Sequence, residues 1–258
     1  MSILVPLYIY PHLGQWDPLY WAAWSHPKVN FTVIVNPCSG PCGQNLSSTY
    51  INEIPKLKQY KNIQTLGYVA TNYTNKGLDN VLEEIGLYAN WSSNWNDSRI
   101  SVDGIFFDET PGLYDWRKFA YLETAQKAVK SLPGLGQQIV VHNPGTLPDR
   151  VWNYMNLSDV TVIFEQSFMK WLDQPNFNLL KAFQNDSSHP KSAMAVMLHS
   201  LPSLTDNLLT CVIKELENMA GYFFLTSVGD QDQYWHSFSN LFSPLATAVD
   251  RINEQKLL

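Results

Sequence analysis

Eight short apolar runs recur along the chain at intervals of about 32 residues, and within each the apolar character is continuous rather than alternating. They are LVPLYIY (Leu4 to Tyr10), FTVIVN (Phe31 to Asn36), IQTLGYVA (Ile63 to Ala70), GIFFDE (Gly104 to Glu109), QIVVHN (Gln138 to Asn143), VTVIFE (Val160 to Glu165), AMAVMLH (Ala193 to His199) and YFFLTS (Tyr222 to Ser227). A strand with one wet face alternates, whereas a strand covered on both faces is apolar throughout. Parallel strands are covered in that way by the crossover helices that join them. The intervals do carry helical spacing: Leu78, Val81, Leu82, Ile85 and Tyr88 form one stripe, and Trp116, Phe119, Leu122, Ala125, Val129 and Leu132 another. Thr205 stands where it can cap a helix through Leu208, Leu209, Val212, Ile213, Leu216 and Met219, and Phe238 to Ile252 supplies a last helix.

The class is therefore α/β, and eight strand-helix units predict one closed (β/α)8 TIM barrel spanning residues 1–258 as a single domain. No Ser/Gly-rich linker, charge block or low-complexity stretch divides them. An open doubly wound sheet with a nucleotide site would need a Gly-rich loop directly after a strand. The one GxG, Gly134-Leu-Gly136, follows a helical stripe and leads into a strand, so it reads as a helix stop. GxSxG and GxxxxGK[ST] are absent as well.

Charge and composition narrow the partners. The 258 residues hold 17 basic and 23 acidic side chains, a net −6, with no Lys/Arg run, which removes the footprint of a nucleic-acid binder. The longest apolar runs are about eight residues, against roughly 18 for a membrane span. The N-terminus has no basic n-region and an early Pro6, so any signal or anchor is expected to have been removed. Asn-X-Ser/Thr occurs at Asn30, Asn45, Asn72, Asn90, Asn96, Asn156 and Asn185, where chance would give about three. That excess points to a secreted or cell-surface protein. Of three cysteines, Cys38 and Cys42 can clip a Gly/Pro loop while Cys211 lies in a helical stripe. No second Cys or His pair follows at zinc spacing.

In a barrel of this kind, chemistry gathers at the C-terminal ends of the strands. The residues there are polar throughout: Tyr10, His12, Asn36, Thr71, Asn72, Asp108, Glu109, His142, Asn143, Glu165, Gln166, His199, Ser200, Thr226 and Ser227. Asp108, Glu109 and Glu165 stand out, because ionised carboxylates directly behind apolar strands are costly unless paired or functional. Glycoside hydrolysis needs two carboxyls, one to protonate the departing oxygen and one to act as nucleophile or base, and no metal or other cofactor. The fourth and sixth strands are separated by one strand, so their end carboxyls can meet across the mouth. Asp108 and Glu109, as neighbours on a strand, should face opposite ways.

Nine Trp support a sugar ligand, whose flat faces stack on aromatic rings. Trp16, Trp91, Trp95 and Tyr114 sit in connections near strand ends where a groove wall would form, and Trp16 joins the expected binding residues with Tyr10, His12, Asn36, His142, Asn143, Gln166 and His199. Trp21, Trp24, Trp116, Trp152 and Trp171 fall at helical positions expected to be core. His12, His142 and His199 with Asp108 would be the elements of a metal-dependent hydrolase, but no HxH pair occurs.

With VPLYIYP at the first strand, IVNP…GP after the second, GYVAT at the third, GIFFDE at the fourth, VVHNPG at the fifth and FEQ at the sixth, the chain resembles the spherulin-4-like glycoside hydrolases across most of its length. Fungal members are (β/α)8 barrels that cleave α-1,4-linked N-acetylgalactosamine in galactosaminogalactan, a secreted cell-wall and biofilm polysaccharide. The resemblance implies a retaining hydrolase; endo action and a monomer whose partner is its polysaccharide are expectations beside it. It maps the family's paired acids onto Asp108 and Glu109 and its third acid onto Glu165. Asp108 is then the nucleophile, Glu165 the general acid/base and Glu109 a supporting carboxylate. A non-catalytic carbohydrate-binding barrel and a developmental coat or storage protein are the other readings, and both would leave the acid trio free to vary.

Overall fold

The structure, a computed structural model, describes residues 1–149, 153–229 and 233–256. Its elements alternate in chain order: β1 (Ser2–Leu7), α1 (Asp17–Ser25), β2 (Asn30–Val35), α2 (Ser48–Leu57), β3 (Ile63–Ala70), α3 (Leu78–Ala89) and the short α4 (Trp91–Asn94). Then come β4 (Gly104–Asp108), α5 (Trp116–Ser131), β5 (Ile139–His142), β6 (Val160–Ser167), α6 (Phe168–Leu172), α7 (Gln174–Asp186), β7 (Met194–His199), α8 (Asp206–Met219), β8 (Tyr222–Leu225) and α9 (Phe242–Gln255). The strands are parallel and in sequential order, and β8 pairs with β1, so the sheet closes into the expected barrel.

Strand parity sorts the side chains. Even-numbered positions of β1 to β4 point inward and odd-numbered ones pack outward against the helices, which is why each run is apolar on both faces. The barrel floor is polar, with Ser2 hydrogen-bonded to Thr32 and Gln64 to Gln137. Above it lies an apolar plug of Leu4, Ile34, Leu66, Phe106, Val141, Val162 and Ala195. Above that plug the interior turns polar again at the C-terminal ends. On the outside, Gly67 leaves room for the fully buried Tyr88 ring, which a Cβ would meet at 2.7 Å. The Tyr88 hydroxyl donates to the Tyr68 carbonyl at 3.0 Å, fastening α3 to β3.

Local signals hold at the helix ends. Thr205 accepts from the Leu208 N–H as the cap of α8, Asp115 caps α5, and Gly134 follows α5 where a Cβ would strike the Ala89 carbonyl. Cys38 and Cys42 are disulfide-bonded, and Cys211 is free and exposed on α8. Among the described residues no helix is long and apolar enough to cross a membrane.

Candidate active site

Asp108 is the last residue of β4 and faces inward in step with Phe106. Among the described residues its carboxylate accepts three hydrogen bonds: from the Tyr68 hydroxyl at 2.8 Å, the Glu109 N–H at 2.9 Å and Asn143 Nδ2 at 2.8 Å. Burial is the largest influence on its proton affinity and raises its pKa, and these three donors partly offset that.

Glu165 reaches the same space by a different route. Val160 and Val162 face inward, so strict alternation would send Glu165 outward among the helices. The pairing of β6 with β7 shifts between Val162 and Phe164: Val162 opposes Ala195, Phe164 opposes Val196 and Glu165 opposes Met197. Ile163 is thus an extra residue, a β-bulge that places Ile163 and Phe164 together in the outer layer and turns Glu165 inward. Its carboxylate accepts from the Tyr234 hydroxyl and from Asn143 Nδ2 at 2.6 Å.

Asn143 therefore joins the two acids. One amide nitrogen lies 2.8 Å from Asp108 and 2.6 Å from Glu165, which holds those two oxygens within about 5.4 Å of each other at most. The amide is itself fixed, since its Oδ1 accepts the Gly145 N–H at 3.0 Å, and the Gly145 carbonyl accepts the Glu165 N–H at 3.1 Å. Gly145 has φ +65°, a conformation that favours glycine, so the Asn-Pro-Gly segment is a turn coupling the end of β5 to the acid on β6.

Glu109 is exposed at the rim in the left-handed conformation, φ 52°. Its carbonyl holds that shape by accepting from the Tyr73 N–H and the Thr71 hydroxyl. Because the strand ends at Asp108, the opposite-face expectation does not apply to Glu109, and both acids line one cleft of about 520 Å³ with Glu165, Gln166 and His199. His199 stacks on Tyr234 with centroids 5.1 Å apart and shares a hydrogen bond with Ser200. Tyr73, Lys170, Tyr234 and Trp235 complete the walls without being marked by motif or spacing. The last two lie beyond β8, where an adjacent aromatic pair in a polar loop was the available signal.

The remaining candidates lie elsewhere. Trp16 is buried at 1% exposure with its indole N–H donating to the Ile9 carbonyl, so it is core and presents no stacking face. His142 is likewise buried: its parity follows Val140 into the outer layer, where it packs edge-on to Phe107 and burial lowers its pKa to about 3. Tyr10 bonds to Ser47 and Thr49 and packs beside His12, and Asn36 accepts the Gly40 N–H; these three do not line the acid cleft. Trp91 is buried, Trp95 packs against the core and Tyr114 stacks on Tyr154. Of the helical tryptophans, Trp171 is core as expected, but Trp21, Trp24 and Trp116 are 64%, 68% and 66% exposed. Trp152 lies outside the described residues. Among the described residues no group of three His, Cys, Asp or Glu side chains is arranged to hold a metal ion.

Residues 2–249 match the model of the spherulation-specific family 4, Spherulin4. The chain belongs to that family. This Spherulin4 chain is similar to a solved structure, Aspergillus clavatus Sph3 in complex with GalNAc, which is 35% identical over 96% of this chain and 97% of that one, with a TM-score of 0.90. A chitinase from Bacteroides thetaiotaomicron (10% identity, 97% and 96% coverage, TM-score 0.59) and a GH5_18 protein from Bifidobacterium longum (12%, 98% and 79%, 0.56) share the barrel fold alone. No curated protein sequence matches. In this Spherulin4 barrel Asp108 and Glu165 stand at the C-terminal ends of β4 and β6.

Proposed function

We propose that this protein is an endo-acting, retaining glycoside hydrolase that cleaves α-1,4-linked N-acetylgalactosamine in a galactosaminogalactan-type polysaccharide. The observation that carries this reading is the bridge from Asp108 through Asn143 to Glu165. Retaining enzymes need carboxyls about 5 to 5.5 Å apart, and inverting ones need about 6.5 to 9.5 Å to admit a water. The shared amide supports the shorter class. In this reading Asp108 attacks the anomeric carbon as Glu165 protonates the departing glycosidic oxygen. Glu165 then takes a proton from the water that releases the sugar from Asp108. Tyr68, Asn143 and the Glu109 N–H hold the charge on Asp108, Glu109 supports the positive sugar from the rim, and Trp235 and Tyr73 offer stacking faces. The GalNAc complex of the relative supports the sugar class.

A second assignment, with the two roles exchanged, is favoured by one observation: burial raises the Asp108 carboxyl, which suits a proton donor. The experiment is to incubate the protein with the polymer and measure new reducing ends and their anomeric form. New ends of retained configuration are expected, and none at all would overturn the assignment in favour of a binding barrel. Glu165→Gln should keep turnover on substrates whose leaving group needs no acid, and Asp108→Asn should not. The reverse pattern would exchange the roles.

We also propose a secretory route. All seven sequon asparagines are exposed. Five of them, Asn30, Asn90, Asn96, Asn156 and Asn185, lie on segments leading into strands, at the face opposite the cleft, where glycans would not obstruct it. Peptide mapping of protein made in a eukaryotic secretory host should find glycans there, and unmodified peptides throughout would reject the route.

A further inference from the structure

On the outer wall, remote from the cleft acids, α1 carries Asp17, Tyr20, Trp21 and Trp24 at spacings i, i+3, i+4 and i+7, which is one face of a helix. The face that packs on the barrel is a different one, through Leu19, Ala22 and Ala23. The helix therefore has a second, aromatic stripe directed outward. Single exposed apolar residues need no explanation, but this stripe is concave. With Tyr60, from the turn after α2, the four residues line a hollow of about 290 Å³. Trp21 and Trp24 meet at an interplanar angle of 86° with centroids 5.5 Å apart, presenting two faces at right angles. Tyr20 and Tyr60 stack at 8° beside them, and Tyr20 is held by its hydrogen bond to Glu53 at 2.9 Å.

We infer that this hollow is a second, non-catalytic carbohydrate site that takes a short stretch of a hexosamine-containing polysaccharide, an inference that rests on the proposed substrate class. Rigid aromatic planes take the flat C–H faces of pyranose rings, and Asp17 at the end of the stripe accepts hydrogen bonds from their hydroxyl, amide or ammonium groups. No cation lines the hollow, so the charge suits a neutral or amino sugar and not an acidic one. The stripe covers about 10 Å of helix, enough for roughly two sugar rings and short of the ~800 Å² per partner that a stable protein interface takes. The site would hold the polymer on the barrel's flank while the cleft works on another part of the chain, raising the local concentration of cleavable bonds.

The test uses the double variant Trp21→Ala/Trp24→Ala, whose rings are mostly in solvent. Retention is measured by electrophoresis through gels containing the galactosaminogalactan polymer, in a Glu165→Gln background so that the gel is not cut. Retention should fall at least tenfold and return with Trp21→Tyr/Trp24→Tyr. With Glu165 restored, polymer hydrolysis should fall severalfold while turnover of a short soluble oligosaccharide stays unchanged. Undiminished retention by the alanine variant would overturn the site. So would a parent protein that runs as a dimer in size-exclusion chromatography and becomes monomeric in the variant, which would make the stripe a contact between copies. If no hydrolysis is found on any substrate, the retention assay still decides this inference separately from the catalytic one.

Discussion

Replacing Asn143 with Ala removes a donor shared by both carboxyls, and the structure sets the scale of the loss. The amide makes hydrogen bonds of 2.8 and 2.6 Å to two acidic groups, and hydrogen bonds to charged partners contribute about 1.5 to 3 kcal/mol each. If one bond's worth of positioning is lost from the transition state, kcat/KM falls about 10- to 150-fold at the pH optimum. Losing both would cost more, although coupled groups do not add. The pH profile should move as well. Burial raises the Asp108 carboxyl and the Asn143 bond lowers it, so without that bond the group holds its proton to higher pH. A nucleophile must be ionised, so the acid limb of kcat/KM shifts upward in pH and the loss deepens under acidic conditions. Asn143→Asp keeps an acceptor for the Gly145 N–H but sets a third carboxyl between the other two, and should be worse than Ala. The assay is kcat/KM against pH on a soluble oligosaccharide, with thermal melts to confirm folding. Activity within twofold of the parent and an unmoved acid limb in both variants would refute the role given to the amide.

Glu109→Gly removes the rim carboxylate and relieves a left-handed backbone that costs a non-glycine residue about 1 to 2 kcal/mol; activity should fall while the melting temperature holds or rises, and a loss of both would show that the side chain supports the fold. Asp108→Asn should raise the melting temperature at neutral pH. The folded state raises this carboxyl's pKa, so its ionisation costs stability as pH rises through the folded value, and the variant's advantage should vanish below about pH 4, where folded and unfolded carboxyls are both protonated; an advantage independent of pH would reject that cause. Thiol titration of denatured, unreduced protein should find one free cysteine, Cys211, and three would reject the Cys38–Cys42 bond. Hydrolysis should survive EDTA, and a loss restored by a divalent cation would move the chemistry to a metal-dependent mechanism.

The barrel was legible because continuous apolar runs and helical stripes are consequences of covering each strand on both faces. The acids were legible by position, since strand ends are where a polar residue behind an apolar run has a use. What the runs did not carry was side-chain direction. His142 and Asn143 look equivalent as a polar pair ending β5, yet one enters the outer layer and the other the cleft. Trp21 and Trp24 look like core because helical spacing does not say which of two faces meets the barrel. Tyr234 and Trp235, an adjacent aromatic pair, had no legible direction for a different reason: they return to the mouth through a loop after β8, and strand ends say nothing about where such loops travel.

The bulge at Ile163 gives β6 two reading frames. Below it the strand is phased by the packing of Val160 and Val162 in the barrel, and above it by the need to present Glu165 to Asn143. Pairing the strand without the bulge, at unchanged length, would exchange the side chains of the upper half between cleft and outer layer while leaving the lower half in register, whereas removing Ile163 would join Val162 to Phe164 in plain alternation and leave Glu165 facing the cleft. The acid at position 165 is therefore specified by how its strand pairs as much as by its identity. A strand that kept every residue of this one but paired without the bulge would carry a carboxylate buried against its helices and an apolar side chain, Phe164, at the mouth.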